Sequence, residues 1–159
     1  MSARTAVVGA AVLAQFALVP LAVAEPLSAR LTGTDYLLEV APADPIDPFR
    51  GAYVALTYPD LAREDDLANR ESVGDVAYVP LVRSGDVWVG RPPLSEAPDS
   101  GPFLRCKDDH WRLRCGIESW FPPQDEAYDV EQAVLRGRAV ATVRVDSRGN
   151  AALIRVDVR

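Results

Sequence analysis

Apolar and polar residues alternate along much of residues 34–158, and this period of two predicts β-strands rather than helices. VAYVPLV before Ser84-Gly85 and DVWV after it predict a hairpin over residues 75–89, because the glycine permits a tight bend. A second hairpin is predicted around residues 147–150. Its two strands are expected to share one apolar face, made of Val143, Val145, Ile154, Val156 and Val158.

Shorter patterns complete the predicted fold. Residues 36–40 and 51–58 are expected to form strands, and residues 25–34 a connector. Residues 125–136 predict a helix, because acidic residues open it and Arg136 followed by Gly137 closes it. The fold class is therefore mainly β: a single antiparallel β domain with one C-terminal-half α-helix, preceded by an N-terminal apolar helix.

The N-terminal apolar segment carries no charge from residue 5 to residue 24, with Arg4 before it and Glu25 after it. A helix of this length just spans a bilayer, which predicts a membrane anchor. Small residues ending at Ala24 also fit a cleavage site, which predicts a secretory signal peptide. A buried core helix is disfavoured, because the segment has no polar face.

This segment divides the chain into a signal-anchor or signal peptide over 1–24 and an extracytoplasmic domain over 25–159. Two locations follow from the two interpretations. An uncleaved chain is anchored in the inner membrane, with its domain in the periplasm or outside the cell. A chain cleaved after Ala24 is secreted.

The charge balance limits the partners of the domain. The whole chain has 17 Lys and Arg against 23 Asp and Glu. Only Arg4 lies in the leader, so residues 25–159 hold 16 basic and 23 acidic residues, a net charge of −7. Nucleic acid is therefore not an expected partner, since phosphate contacts need clustered basic side chains. The expected partners are the membrane, through residues 5–24 if uncleaved, and an envelope protein whose identity stays open.

Cys106 and Cys115 flank KDDHWRLR, which predicts a tight hairpin centred between His110 and Trp111. That centre places the two cysteines opposite each other, where cross-strand Cβ atoms are close enough for a disulfide. Two buried free thiols are the alternative. A zinc site is disfavoured, because the chain has a single histidine and no C-x-x-C spacing.

No catalytic set stands out along the chain. His110 and Lys107 are the only residues of their kinds, and both fall on the polar cysteine hairpin. Adjacent carboxylates at 64–66, 108–109 and 125–126 are expected to be solvated charge, because neighbours in sequence point apart. We therefore expect no catalytic residue, no metal and no cofactor. The aromatic residues of the strands are expected to be core, or else a strip that binds sugars or peptides.

One segment has a recognisable spacing. In PADPIDPFRGAYVALTY, Gly51, Tyr53, Leu56 and Tyr58 fall on the pattern Gly-Asp-Tyr-x-x-Leu-x-Tyr, although Ala52 stands where the pattern has Asp. A second stretch, Gly116-Ile117-Glu118, precedes Trp120-Phe121, and Val145-Asp146 precedes Gly149. With these markers the chain resembles the GDYXXLXY protein family.

The resemblance implies a small bacterial protein of the cell envelope, with an apolar N-terminal segment that serves as a membrane anchor. It brings no established active site. The leading functional hypothesis is a non-enzymatic, membrane-anchored or exported envelope protein that acts as a binding or structural module. The alternatives are an envelope hydrolase that uses a pair of carboxylates, and an accessory subunit of a membrane complex.

Overall fold

A computed structural model describes residues 7–8, 12, 15–16, 24–42, 54–61, 73–109, 112–121, 134, 136–137 and 139–158. Within these ranges the chain forms one helix, α1 (residues 24–32), followed by strands. The strands are β1 (Thr34–Pro42), β2 (Val54–Thr57), β3 (Val76–Ser84), β4 (Val87–Gly90), β5 (Phe103–Asp108), β6 (Leu113–Arg114), β7 (Ser119–Trp120), β8 (Ala139–Val145) and β9 (Ala151–Val158).

The strands form two antiparallel sheets. The first has the order β7-β2-β1-β8-β9 and the second β4-β3-β5-β6. One hydrophobic cluster contains residues of both sheets, among them Leu38 and Val143 from the first and Val79 and Leu104 from the second. The two inner faces therefore share a single core, and the prediction of a mainly β, antiparallel fold is confirmed.

The cysteine hairpin has the expected register, whereas the first hairpin turns one residue later than predicted, at Gly85 and Asp86 rather than at Ser84 and Gly85. Ser84 pairs with Val87 across the first turn, and Lys107 pairs with Arg114 in the cysteine hairpin. The second pair agrees with the predicted register, because Lys107 lies opposite Arg114 when Cys106 lies opposite Cys115. His110 and Trp111, at the centre of that hairpin, lie outside the described residues.

The last hairpin differs from its prediction at one point. The register shifts at Thr142 and Val143, so that Val143 pairs with Leu153 rather than with Ile154. The prediction that Ile154 shares the inner face is wrong, because a bulge inserts one residue and reverses the alternation beyond it. Leu153 is buried in its place, whereas Ile154 is partly exposed.

Helix α1 corrects the prediction of a connector over residues 25–34. Its Ala29 is completely buried, and Gly33 alone separates it from β1. Of the apolar segment, residues 7–8, 12, 15–16 and 24 are described and have helical backbone geometry. No helix that the described residues form is both long and apolar enough to cross a membrane.

The helix predicted over residues 125–136 lies almost entirely outside the described residues. Val134 is helical and buried, and it belongs to the common core. The Gly137 N–H donates to the Val134 carbonyl at 3.0 Å. Gly137 is the residue that was expected to end the helix.

Candidate functional site

The two family-like markers meet in space, although about 60 residues separate them in sequence. We call their contact the motif junction and define it by Leu56, Tyr58 and residues 115–118. The Leu56 N–H donates to the Glu118 carbonyl at 2.9 Å, and the Tyr58 hydroxyl donates to the Ile117 carbonyl at 2.8 Å. Leu56 and Ile117 are both buried in the core. The markers therefore form one structural unit.

Glu118 closes the turn that leads into this contact. One of its carboxylate oxygens accepts the Cys115 N–H, and the other accepts the Gly116 N–H at 3.0 Å. Gly116 has a φ of +80°, a left-handed conformation that side chains disfavour. The chain therefore turns here instead of continuing β6 through residues 116–121. Ser119 and Trp120 instead form β7, which pairs with β2 in the other sheet.

The disulfide is adjacent to this turn. Cys106 of β5 is bonded to Cys115, the residue that directly precedes Gly116. Both cysteines described here are therefore paired, as the sequence predicts, and the free-thiol alternative is wrong. The bond fixes the start of the turn to the second sheet, while Glu118 and β7 attach its end to the first sheet.

The Tyr58 hydroxyl is a permanent donor in this environment. Burial raises the pKa of Tyr58 far above its usual range, and the nearby Glu118 charge adds to the effect. The phenol therefore stays protonated at any ordinary pH. The hydroxyl donates to the Ile117 carbonyl, and both oxygens of Glu118 accept backbone amides, so both side chains have partners within the turn.

The remaining candidate residues from the sequence either form structural contacts or lie outside the described residues. Gly51 and Tyr53 lie outside the described residues. Lys107 and Arg114 form ion pairs with Asp109, and the Arg114 guanidinium is the main reason that the pKa of Asp109 is lowered. Asp108 is buried and accepts the Val73 N–H.

Several aromatic residues confirm the expectation that they are core. Tyr36, Tyr58, Trp88 and Trp120 pack against the common cluster, and the rings of Tyr36 and Trp88 meet edge to face at 5.0 Å. Tyr78 and Phe103 form a second edge-to-face pair at 5.8 Å.

An open cleft of about 630 Å³ lies beside the edge strand β4. Its charged lining residues are Glu39 of β1, Asp60 of the turn after β2, and Arg91. The Gly90 N–H donates to the Asp60 carbonyl at 2.7 Å, which fixes the turn against β4. Sequence analysis did not find this pair of carboxylates, since they are 21 residues apart and neither adjoins another acidic residue.

The cleft does not form a metal centre from the described part of the chain. No three His, Cys, Asp or Glu side chains among those residues are grouped closely enough to hold a metal ion. What the cleft offers is two carboxylates and one guanidinium around an otherwise partly apolar lining of Leu61, Val87, Val89, Pro92 and Pro93.

A third cluster fixes α1 to the β8–β9 turn. Asp146 accepts hydrogen bonds from the Ser28 hydroxyl at 2.7 Å and from the Asn150 side-chain amide at 2.9 Å. It also accepts the backbone N–H groups of Arg148 and Asn150. Burial opposes ionisation of Asp146, but these donors outweigh it, and the pKa of the carboxyl is lowered.

Charged groups extend this cluster along α1. Arg105 pairs with Glu25 at 2.9 Å, and Arg148 donates to the Ser28 hydroxyl at 2.7 Å. Arg30 donates to the Leu153 carbonyl at 3.2 Å, and Arg144 donates to the Arg30 carbonyl at 3.1 Å. These contacts make α1 part of the folded domain.

Fold and site together define a small, mainly β protein with one disulfide, whose signature residues join its two sheets. The family model described as GDYXXLXY protein matches residues 15–156. The chain therefore belongs to the GDYXXLXY protein family, as the sequence markers indicated. Comparison with curated proteins and with solved structures gives no significant match.

Proposed function

We propose that this chain is a non-enzymatic protein of the cell envelope, anchored or exported by its apolar leader, whose β domain acts as a structural or binding module. The observation that carries the proposal is the motif junction. There, Leu56 and Tyr58 bind the segment in which the chain crosses from the second sheet to the first, and Glu118 closes its turn. A signature that builds a fold supports a scaffold for binding rather than a reaction centre.

The disulfide supports the location outside the cytoplasm. Cys106 and Cys115 are the two cysteines of the chain, and they are bonded to each other. Structural disulfides form and persist in oxidising compartments such as the periplasm. The leader that ends at Ala24 supplies the route to that compartment, either as an anchor or as a cleaved signal.

The test is the mass and location of the chain produced in a bacterial host with a C-terminal tag. An intact N-terminus in the membrane fraction indicates an anchor, and a chain that starts at Glu25 indicates secretion. Recovery of the full-length chain from the cytosol, with both thiols reduced, would contradict the proposal. Co-purification of a stoichiometric membrane protein from detergent would instead favour an accessory subunit.

A second candidate function has one observation in its favour. Glu39 and Asp60 line the same cleft beside β4. Two carboxylates at a defined separation are the minimal set for glycoside hydrolysis, one as acid and one as base or nucleophile. The alternative is therefore a hydrolase that acts on envelope polysaccharide.

Single substitutions separate this alternative from the binding module. If the cleft is catalytic, Glu39→Gln and Asp60→Asn should each abolish release of soluble fragments from purified peptidoglycan, while Glu96→Gln on an exposed loop should not. Absence of release by the unmodified chain would remove the hydrolase. A loss of peptidoglycan binding in the two cleft variants alone would instead place the binding module in this cleft.

A further inference from the structure

The outer side of α1 carries two exposed leucines. Leu27 is 48% exposed and Leu31 is 75% exposed, although the adjacent Ala29 is completely buried. Residues four apart lie on the same side of a helix, so the two leucines form one apolar stripe. In the described residues from 24 to 158, the other exposed large hydrophobic residues are Leu94, Phe121 and Val158, which are scattered.

Two arginines from other parts of the chain, Arg105 and Arg148, lie beside Ala24 and Glu25 of the same helix, where the apolar leader ends. A small cavity of about 200 Å³ is lined by Ala24, Glu25, Arg105, Arg148 and Asn150. Arg148 is exposed and Arg105 is partly exposed, so their guanidinium groups are accessible from solvent. Guanidinium groups recognise phosphate through paired hydrogen bonds.

The charge around α1 differs from that of the domain as a whole. Seven charged residues lie on α1, form hydrogen bonds with it, or form ion pairs with those residues. Four are arginines and three are acidic, so their net charge is +1. They are Arg30, Arg105, Arg144, Arg148, Glu25, Asp35 and Asp146. Residues 25–159 together carry −7. This face is therefore less acidic than the domain as a whole, which suits contact with an anionic surface.

The connection between leader and domain is short. Ala24, the last residue of the leader, is already part of α1. Helix α1 ends at residue 32, just before β1 begins at Thr34. The Ser28 to Asp146 bond and the contacts of Arg30 hold α1 on the domain. A leader that stays in the membrane would therefore bring this face of the domain to the membrane surface without a flexible stalk.

We propose that α1 is an interfacial helix: Leu27 and Leu31 insert into the headgroup region of the bilayer, and Arg105 and Arg148 bind lipid phosphate groups. This inference rests on the proposed retention of the leader as an anchor. A lipid partner fits the observations better than a protein partner. Two leucines expose far less than the roughly 800 Å² that each side of a stable protein interface buries, whereas an interfacial helix buries its apolar face only about 5–10 Å into the headgroup region.

The test uses the full chain in vesicles of phosphatidylcholine and phosphatidylglycerol, with one nitroxide label on each variant. Both native cysteines are in the disulfide, so an added cysteine is labelled selectively. Leu31→Cys tests the interface and Phe16→Cys tests the leader. Val158→Cys is the aqueous control, because it lies at the other end of β9, about 25 Å from the β8–β9 turn.

Membrane depth follows from the ratio of collisions with oxygen to collisions with a water-soluble nickel reagent. We expect a ratio several-fold higher at residue 31 than at residue 158, and the highest ratio at residue 16. A high ratio at residue 16 with equal ratios at 31 and 158 would overturn the inference while leaving the anchor in place. Such a result would point to a protein partner for the leucine stripe. An aqueous ratio at residue 16 would overturn the anchor, and the inference with it.

The arginines are tested separately. Arg105→Gln together with Arg148→Gln should lower the ratio at residue 31 and leave the ratio at residue 16 unchanged. Arg83→Gln is the matched control, because it removes an exposed charge at the β3–β4 turn whose guanidinium donates to the Gly85 carbonyl rather than to α1. An unchanged ratio at residue 31 in the double variant would overturn the assignment of phosphate binding to these arginines.

Discussion

The carboxylate of Asp146 illustrates how single residues stabilise this fold. Its side chain is only 2% exposed, and the donors around it come from α1, from Asn150 and from the turn backbone. A buried carboxylate is costly unless it is hydrogen-bonded, and here four donors satisfy it. The residue thereby couples the helix to the turn between β8 and β9.

The lowered pKa of Asp146 predicts a pH dependence of stability. Because the folded-state pKa lies below the unfolded value of about 3.9, the stabilisation is fully present above that value. It is lost as the pH falls through the folded-state pKa. We expect Asp146→Asn to reduce the free energy of unfolding at neutral pH by about 1–3 kcal/mol, and the difference from the unmodified chain to shrink in acid.

Urea unfolding of both proteins at about pH 7 and about pH 3 measures this difference. Asp157→Asn is the control, since the Asp157 carboxylate pairs with Arg155 on the exposed side of β9. A difference that stays constant between the two pH values would contradict the assignment.

Tyr58 provides a second prediction at this scale. Tyr58→Phe removes the hydroxyl that donates to the Ile117 carbonyl, and we expect it to reduce the free energy of unfolding by about 1 kcal/mol. Thr57→Val removes an exposed hydroxyl that donates to the Ala41 carbonyl in the same region. If denaturation shows that the tyrosine change costs no more than the threonine change, the motif hydroxyl is not a stabilising contact.

At the scale of elements, the motif junction determines how the two sheets are connected. Strand β6 ends in the second sheet and β7 begins in the first, with Gly116 and Ile117 between them. The disulfide, the Glu118 carboxylate and the β2–β7 pairing fix this crossing from both sides. Gly149 lies in close contact with the other end of β5. A Cβ atom at this position would lie only 2.6 Å from the Phe103 ring.

The disulfide prediction belongs to this scale. Intact mass should rise by two hydrogens on reduction. The Cys106→Ala, Cys115→Ala double variant should lose about 2–3 kcal/mol, as expected for a closed loop of this length. Hydrogen exchange of the Leu56 amide should accelerate in the variant, because its acceptor is the Glu118 carbonyl. The Asp146 amide, bonded within the last hairpin, is the control. Equal acceleration at both amides would show that the disulfide acts on global stability alone.

At the scale of the whole molecule, helix α1 belongs to the folded domain. The described part of the helix begins at Ala24 and contributes a completely buried Ala29 to the fold. Cleavage after Ala24 would leave Glu25, Ser28 and Arg30 in place, so an anchored and a secreted chain would retain the same docked helix.

Two truncated chains test this division. A chain that starts at Glu25 should unfold near the midpoint of the full chain. One that starts at Gly33 should lose more than about 3 kcal/mol, because it removes Ala29 and leaves Asp146 without its Ser28 donor. Equal thermal midpoints for the two truncated chains would show that α1 does not contribute to the stability of the domain.

The sequence by itself determined the strand-rich fold class, the cysteine hairpin and the family. Alternation and the centre of the turn fixed the register at Lys107 opposite Arg114, because pairing within a hairpin depends on residues close in the chain. The first hairpin was also predicted, although its turn lies one residue later than expected. The same local logic paired the two cysteines. The spacing of Gly51, Tyr53, Leu56 and Tyr58 indicated the family that the match over residues 15–156 shows.

Only the tertiary structure decided which distant residues meet. The bulge that buries Leu153, the crossing from β6 to β7 and the docking of α1 all depend on packing against other strands. The shared cleft of Glu39 and Asp60 likewise depends on two segments that no short-range pattern connects. Sequence periodicity indicates which face of a strand is apolar. Which other strand or helix packs on that face depends on the free energy of the whole core.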